Sequence, residues 1–410
     1  MSPGQHAAHG TAMGSSDASA GCPIMPTYAA PSISFVSGTG SWLTDTNGRR
    51  YLDLLSGLAV TSLGHAHPDV TAAIVAQAGT LVHVSNLYGT QHNGGVASTI
   101  DRLIGDGTPA GGQVFFCNSG AEANETAIKL ARKWAGAPAG RFVVLSAFGS
   151  FHGRTLAALH ATGQPSKWEG FTPLPEGFHH AAWRDLDDMD RLLDGSVAAV
   201  LLESVQGEGG VNVADVGYFR GVAELCAERG ALFMVDEVQT GLGRTGRWFG
   251  FQHLLDAGIT PDVVTLAKAL GNGVPIGACW ARREVAAAFS PGDHGTTYGG
   301  QPLATAAAAA VLEVMQREDV CARASAAGAE LTVGLQALAG VREVRGLGLL
   351  LAAELDVERL GRDSRAVASE LMAHGIIVNP VTPTALRLAP SLLITRDEIA
   401  HAIDRIGAVL

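Results

Sequence analysis

Four apolar runs recur through the middle of the chain: RFVVLSAF (141–148), VAAVLLES (197–204), ALFMVDEV (231–238) and DVVTLAK (262–268). None alternates apolar with polar residues, as a strand with one wetted face would. Both faces of each strand must therefore be covered. Helical patterns such as GYFRGVAELCAERG (217–230) separate several of the runs. Near-continuous strands alternating with helices specify an α/β fold, a mostly parallel sheet covered by helices. QVFFCNSGAEANETAIKLARKWAG adds a unit of the same kind. It reads as strand Gln113–Cys117, a small polar turn, and a helix from about Ala121 to Trp134. Ala127, Leu130, Ala131 and Trp134 fall on one helical face.

The character changes toward the ends. GSWLTDTNGRRYLDLLSG has the alternation and the N-G turn of a β-hairpin. From about Ala304, ATAAAAAVLEVMQRE reads as a long helix and VREVRGLGLLLAAEL as two strands around glycines. The expected division is a disordered head over 1–24, an N-terminal segment over 25–70 that joins a small domain, a large domain over 71–305, and a small α+β domain over 306–410. The head is polar and lacks the apolar stretch of a signal peptide. His6 and His9 within it are expected to be solvated.

A chain of 410 residues exceeds the usual single-domain size, and 47% apolar residues with 16% charged ones provide a large core. Net charge is −11 with no long basic run, which argues against nucleic acid or an anionic membrane as partner. No window approaches the run of about 18 apolar residues that a membrane helix requires. The five cysteines (Cys22, Cys117, Cys226, Cys279 and Cys321) are scattered without C-x-x-C spacing. They read as free thiols of a reducing cytoplasm.

Ligands of open α/β sheets bind outside the carboxyl ends of the strands. The residues that end each run therefore carry the information. Gln113–Cys117 runs into Asn118-Ser119-Gly120, and Arg141–Phe148 leads to GSFHGRT. Val197–Leu202 ends in Glu203 and SVQGEGG. Ala231–Val235 ends in Asp236-Glu237, and Val263–Ala267 ends in Lys268. The turn Ser119-Gly120-Ala121 opens a helix whose free N–H groups suit a phosphate. A desolvated lysine has a lowered pKa and can form a Schiff base. A fixed carboxylate, Asp236, can hold a proton on a pyridine nitrogen. These are the three handles of pyridoxal phosphate. Each alone also fits an N-cap or an ordinary Asp–Lys ion pair, and it is their presence on neighbouring strand ends that favours the cofactor.

GLGRTG (Gly241–Gly246) matches G-x-G-x-x-G but leads into RWFGF in mid-chain rather than opening a helix early in a βαβ unit. A nicotinamide-dependent oxidoreductase built on these glycines is thus the remote alternative. No metal constellation stands out, and His65 and His67 of GHAHP read as turn residues.

From about Met25 to the end, the chain resembles the class III (fold type I) pyridoxal-phosphate aminotransferases, nearest to those acting on acetylornithine. The resemblance rests on YLDLLSGLAVTSLGHAHP, NSGAEANETAIKLARK, FHGRT, VQGEGG, DEVQTGLGRTG, TLAKALGNGVPIGA, GTTYGGQPLA and LRLAPSLLIT, in family order. It implies that Lys268 bonds covalently to the cofactor and shuttles a proton, with Asp236 facing the ring nitrogen. Val238 and Gln239 would lie near the ring, Gln239 by its phenolic oxygen, and Phe151 would stack on the ring face. Gly120 and Ala121 would hold the phosphate through backbone N–H groups. Thr297 would reach the phosphate of the other subunit, which implies a homodimer with shared active sites.

For substrate, the resemblance implies Thr296 beside it and Arg154 on the carboxylate of acetylornithine or the distal carboxylate of glutamate. Arg387 would take glutamate's α-carboxylate, and Glu208 would neutralise Arg387 when acetylornithine is bound. The implied reaction carries the δ-amino group of N2-acetyl-L-ornithine to 2-oxoglutarate, as in arginine biosynthesis. Ornithine, 4-aminobutyrate, succinylornithine and succinyldiaminopimelate remain alternative donors. Three positions depart from the family pattern: Ser204 replaces a usual proline, Gln301 a frequent asparagine, and Asn272 a frequent glycine. Ser204 is expected to loosen the loop that carries Glu208.

Overall fold

The structure is a computed structural model and describes residues 24–410. The expected disorder of the head, Cys22, His6 and His9 lie outside the described residues, apart from residue 24. A seven-stranded sheet forms the centre. Its strands, labelled along the chain, are β1 (Gly112–Cys117), β2 (Val143–Ala147), β3 (Phe178–Ala181), β4 (Val197–Glu203), β5 (Leu232–Asp236), β6 (Val263–Leu266) and β7 (Gly277–Arg282). Their spatial order is β1-β7-β6-β5-β4-β2-β3.

Pairing is parallel from β6 through β5, β4 and β2 to β3. Strand β7 runs antiparallel to both β6 and β1. The sheet is thus mostly parallel, as expected, with one reversed strand that the apolar pattern does not distinguish. Neither β7 nor the short β3 stands out in the sequence.

The absence of alternation has the expected cause. Leu232 and Met234 of β5 pack on one side, with Ala127, Ile128, Leu130 and Ala131 of the helix Gly120–Ala135. Phe233 and Val235 pack on the other, with Phe219, Val222 and Cys226 of the helix Val216–Arg229. A fully buried Leu, Val or Phe contributes about 1.5–3 kcal/mol each, and a strand with two covered faces gains on both.

The hairpin Trp42–Asp45 and Arg50–Asp53 forms as expected, and its second strand also pairs in parallel with Ile376–Ile377. The beginning of the described chain and its last part therefore share one sheet. A four-stranded antiparallel sheet follows the long helix Pro302–Arg317. Two of its strands, Asn379–Thr382 and Ala385–Leu388, matter for the site.

The GLGRTG segment opens no helix and is a run of turns, with Gly243 at φ 88° and Gly246 at φ 91°. Arg244 between them is buried. It donates to the carbonyls of Leu349 and Pro390 and to Ser62 Oγ at 2.9 Å, which ties the large sheet to the C-terminal part. Its guanidinium is a structural rivet, not a nucleotide contact. Arg244→Met leaves these buried acceptors without a donor and should cost about 3 kcal/mol or more. Thermal unfolding checks this: a clear fall in Tm is expected, and an unchanged Tm contradicts the rivet.

Candidate active site

The carboxyl ends of β1, β2, β4, β5 and β6 open on one cavity of about 400 Å3. Ser119, Gly120 and Ala121 come from the turn after β1, and Phe151 to Arg154 from the loop after β2. Glu203 and Glu208 follow β4. Asp236, Val238 and Gln239 follow β5, and Lys268 follows β6. Reversed β7 brings its entry here too. Gly277 pairs with Cys117, so Val274, Pro275 and Ile276 complete the wall.

Nine of the expected residues therefore line a single cavity: Gly120, Ala121, Phe151, Arg154, Glu208, Asp236, Val238, Gln239 and Lys268. Arg387 stands behind this wall, bonded to Glu208. Thr296 and Thr297 do not line it. Thr296 holds its own loop by accepting from the Gly299 N–H at 3.0 Å, and Thr297 is exposed.

Asp236 is buried and accepts three bonds: from the Val238 N–H at 3.0 Å, from Asn124 Nδ2 at 2.7 Å and from His152 Nδ1 at 2.9 Å. A carboxylate is acceptor-only when ionised, and this set of donors suits it. Asn124 is itself fixed, accepting from Thr265 Oγ1 at 2.7 Å. Neither Asn124 nor His152 is identified by the sequence reading. His152 had a signal within FHGRT, and Asn124 had none beyond its place on the helix.

Lys268 sits where β6 breaks, with φ 39°, a left-handed conformation that a non-glycine residue adopts under strain. Burial pushes its amine down to about 8, against the opposing pull of Glu208 and with help from the charge of Arg387. The amine is thus far closer to a free base at neutral pH than an ordinary lysine. Gly273 nearby takes φ 113°, which requires glycine. Gly271 serves packing instead of turning, because a Cβ there would come 2.9 Å from Ile276 Cγ2.

Glu203 is another wall residue with no role assigned from the sequence. It is buried and is the Cα partner of Asp236 across β4 and β5. Burial, then the Asp236 charge, hold its carboxyl well above the usual range. It accepts from the Phe151 N–H at 3.1 Å and so fixes the residue expected over the ring face.

Behind the wall that Glu208 lines, Arg387 Nη1 donates to Glu208 Oε1 at 2.6 Å and to the Gly207 carbonyl at 3.1 Å. Burial raises the Glu208 carboxyl, but the charge and hydrogen bond of Arg387 outweigh it, and the net pKa is lowered. Arg154 is exposed, its guanidinium carbon 5.6 Å from the Phe151 ring centre.

The residues present fit pyridoxal phosphate. Ser119 Oγ caps Glu122 at 3.2 Å, which leaves the Gly120 and Ala121 N–H groups open at the start of the helix Gly120–Ala135. Gly120 also keeps the cradle clear. A Cβ there would come 2.7 Å from Val238 Cγ1. An amine, a fixed carboxylate and a phosphate cradle thus face one space of suitable size.

The three departures each do structural work. Ser204 is buried and its hydroxyl lies 3.4 Å from Glu237 Oε1. The loop it precedes is not loose, because Arg387 holds the Gly207 carbonyl and Arg345 the Gly210 carbonyl at 2.9 Å. Gln301 Oε1 accepts from the N–H groups of Val84 at 3.0 Å and Ser85 at 3.1 Å. Asn272 Oδ1 accepts from the Leu63 N–H at 2.8 Å. His65, bonded to Asp53 at 2.8 Å, behaves as the turn residue expected. Among the described residues there is no cluster of potential metal ligands.

Comparison with known proteins shows the family. The sequence profile of the family "Aminotransferase class-III" matches residues 25–410. Acetylornithine aminotransferase of Corynebacterium efficiens is 46% identical over 397 residues, covering 94% of each chain. The Mycolicibacterium smegmatis protein of the same name is 45% identical, covering 94% of this chain and 96% of its own. Among solved structures, ornithine aminotransferase of Toxoplasma gondii superposes with a TM-score of 0.87 at 34% identity, covering 94% of this chain and 92% of its own. N-acetylornithine aminotransferase of Stenotrophomonas maltophilia gives 0.79 at 36%, covering 92% and 95%. The chain belongs to the class III aminotransferases, and its cofactor is pyridoxal phosphate.

Proposed function

We propose that this aminotransferase moves the δ-amino group of N2-acetyl-L-ornithine to 2-oxoglutarate, giving N-acetylglutamate 5-semialdehyde and glutamate, in arginine biosynthesis. The observation that carries the reading is the Glu208–Arg387 pair at 2.6 Å, with Glu208 on the cavity wall and Arg387 behind it. Glutamate has a carboxylate on its reacting carbon, and acetylornithine has none there. A site that accepts both needs an arginine whose charge can be covered and uncovered. Glu208 covers Arg387 for the donor and releases it for glutamate. Relatives named for acetylornithine at 44–46% identity support the choice of donor.

When bound, pyridoxal phosphate supplies an aldehyde that takes up the amino group and a ring that draws off electrons from the breaking C–H bond. The chain's own residues do the rest. Lys268 Nζ takes the proton from the carbon bearing the amino group. Asp236, held by His152 and Asn124, would face the ring nitrogen. Gly120 and Ala121 N–H groups would hold the phosphate, Phe151 and Val238 would flank the ring, and Gln239 would lie near its phenolic oxygen. Arg154 takes the substrate's distal carboxylate by bidentate pairing.

Thr296 and exposed Thr297 are assigned to substrate and to the phosphate of a second copy's site, which makes the enzyme a homodimer. The free thiols Cys117, Cys226, Cys279 and Cys321 suit the reducing cytoplasm. Among the described residues no helix is long and apolar enough to cross a membrane.

Half-reaction rates for a panel of ω-amines, on protein whose mass is measured by light scattering, test this reading. Acetylornithine should give the highest kcat/KM, and the mass should be that of two chains. A preference for ornithine, 4-aminobutyrate, succinylornithine or succinyldiaminopimelate refutes the donor, and a monomer with full activity refutes the shared site. A second test follows from the lowered amine. Only the free base of Lys268 attacks an aldehyde, so cofactor attachment to the apoenzyme should speed up with pH and level off near 8. A profile still climbing toward the ordinary lysine value of about 10.4 contradicts the buried amine.

A further inference from the structure

Arg387 is 1% exposed, and its donors point in several directions. Nη1 faces Glu208 Oε1 at 2.6 Å, the Gly207 carbonyl at 3.1 Å and Gln239 Oε1 at 3.3 Å. Nη2 donates to Asn379 Oδ1 at 2.9 Å. Nε is buried without a partner. Of the four acceptors, Glu208 alone carries a charge, and its side chain is 33% exposed toward the cavity. Asn379 is different in kind. It is the Cα partner of Arg387 across the antiparallel strands Asn379–Thr382 and Ala385–Leu388, so backbone register fixes its reach. A guanidinium only donates, which obliges the amide to present its oxygen.

A buried guanidinium that gives up its carboxylate partner must keep other acceptors or follow the departing charge. We infer that Asn379 is a positioning residue that holds Arg387 in place for an incoming α-carboxylate whenever Glu208 moves off. It thereby sets affinity for glutamate and 2-oxoglutarate separately from affinity for the acetylated donor. The inference rests on the substrate pair proposed above.

The choice of an amide has a physical reason. Its oxygen holds Nη2 without cancelling the positive charge that attracts the substrate. A carboxylate at this place would pair with Arg387 permanently and compete with every incoming carboxylate. An apolar side chain would leave Nη2 unpartnered in a buried setting. Gly207 and Gln239 hold only Nη1, the same nitrogen that Glu208 binds, so neither fixes the tilt of the guanidinium plane.

The test uses holoenzyme of the wild type, Asn379→Asp and Asn379→Ala. Calorimetric titration gives the Kd of 2-oxoglutarate for the pyridoxal form, which it binds without reacting. Single-turnover absorbance gives the glutamate and acetylornithine half-reactions separately. Loss of a hydrogen bond to a charged group predicts a Kd for 2-oxoglutarate raised about tenfold or more in both variants, largest in Asn379→Asp. The half-saturation for glutamate should rise in parallel, with much smaller change in its limiting rate and in the acetylornithine half-reaction.

An equal fall in both half-reactions overturns the inference, because a merely structural residue would act so. An unchanged Kd for 2-oxoglutarate in Asn379→Ala overturns it as well. Failure of the wild type to react with acetylornithine would overturn the donor assignment alone, since the 2-oxoglutarate Kd still reports on Asn379.

Discussion

The structure depends on placing a half-buried amine and a buried carboxylate at the ends of two adjacent parallel strands. Asp236 closes β5 and Lys268 follows β6 after Ala267, with Asp236 paired to Thr265 in register. Taking such groups out of water costs several kcal/mol each unless donors and acceptors replace the lost hydration. For Asp236 the replacement is complete, with Val238, Asn124 and His152 around it. For Lys268 it is not, and burial leaves the amine near 8. One group is stabilised as a fixed charge and the other is kept reactive. The covered sheet makes both possible, because only a strand buried on both faces can deliver a side chain to a dry edge.

The opposite wall follows another rule. Arg387 belongs to the C-terminal sheet, whereas Gly207, Glu208 and Gln239 belong to the large sheet's loops. Arg345 and Arg244 cross the same boundary, toward the Gly210 carbonyl and the Leu349 and Pro390 carbonyls. Three arginines thus stitch the two parts together through backbone carbonyls, and one of them also carries the charge proposed to take glutamate's α-carboxylate. A guanidinium suits this double duty because its several donors can serve structure and ligand together.

The large sheet was legible in the sequence because its strands are buried on both faces and so appear as unbroken apolar runs. Strand direction was not, since hydropathy carries no sign of polarity, and the reversed strand β7, GACWAR, is no distinct apolar run. Strand β3, FHHA, is too short and too polar to announce itself. The site was legible where chemistry sits on a strand end, as with Asp236 and Lys268. The roles of Arg154, Arg387, Glu208 and Thr297 came from resemblance, since no spacing brings residues so far apart together. Glu203 ended an apolar run in plain view, yet its carboxyl is raised first by burial and then by the Asp236 charge across the ladder, both visible only after folding. Gly271 packs against Ile276 while Gly273 takes a left-handed turn, a difference that two glycines in one short segment do not reveal in one dimension.

The account turns on Lys268 as the residue that carries the cofactor. Borohydride reduction of the purified holoenzyme, followed by peptide mass mapping, tests it most directly. If Lys268 carries the cofactor, the yellow colour is lost and one peptide, the one containing Lys268, gains the mass of the reduced cofactor. Cofactor fixed on another lysine, or a protein that binds none, would contradict it.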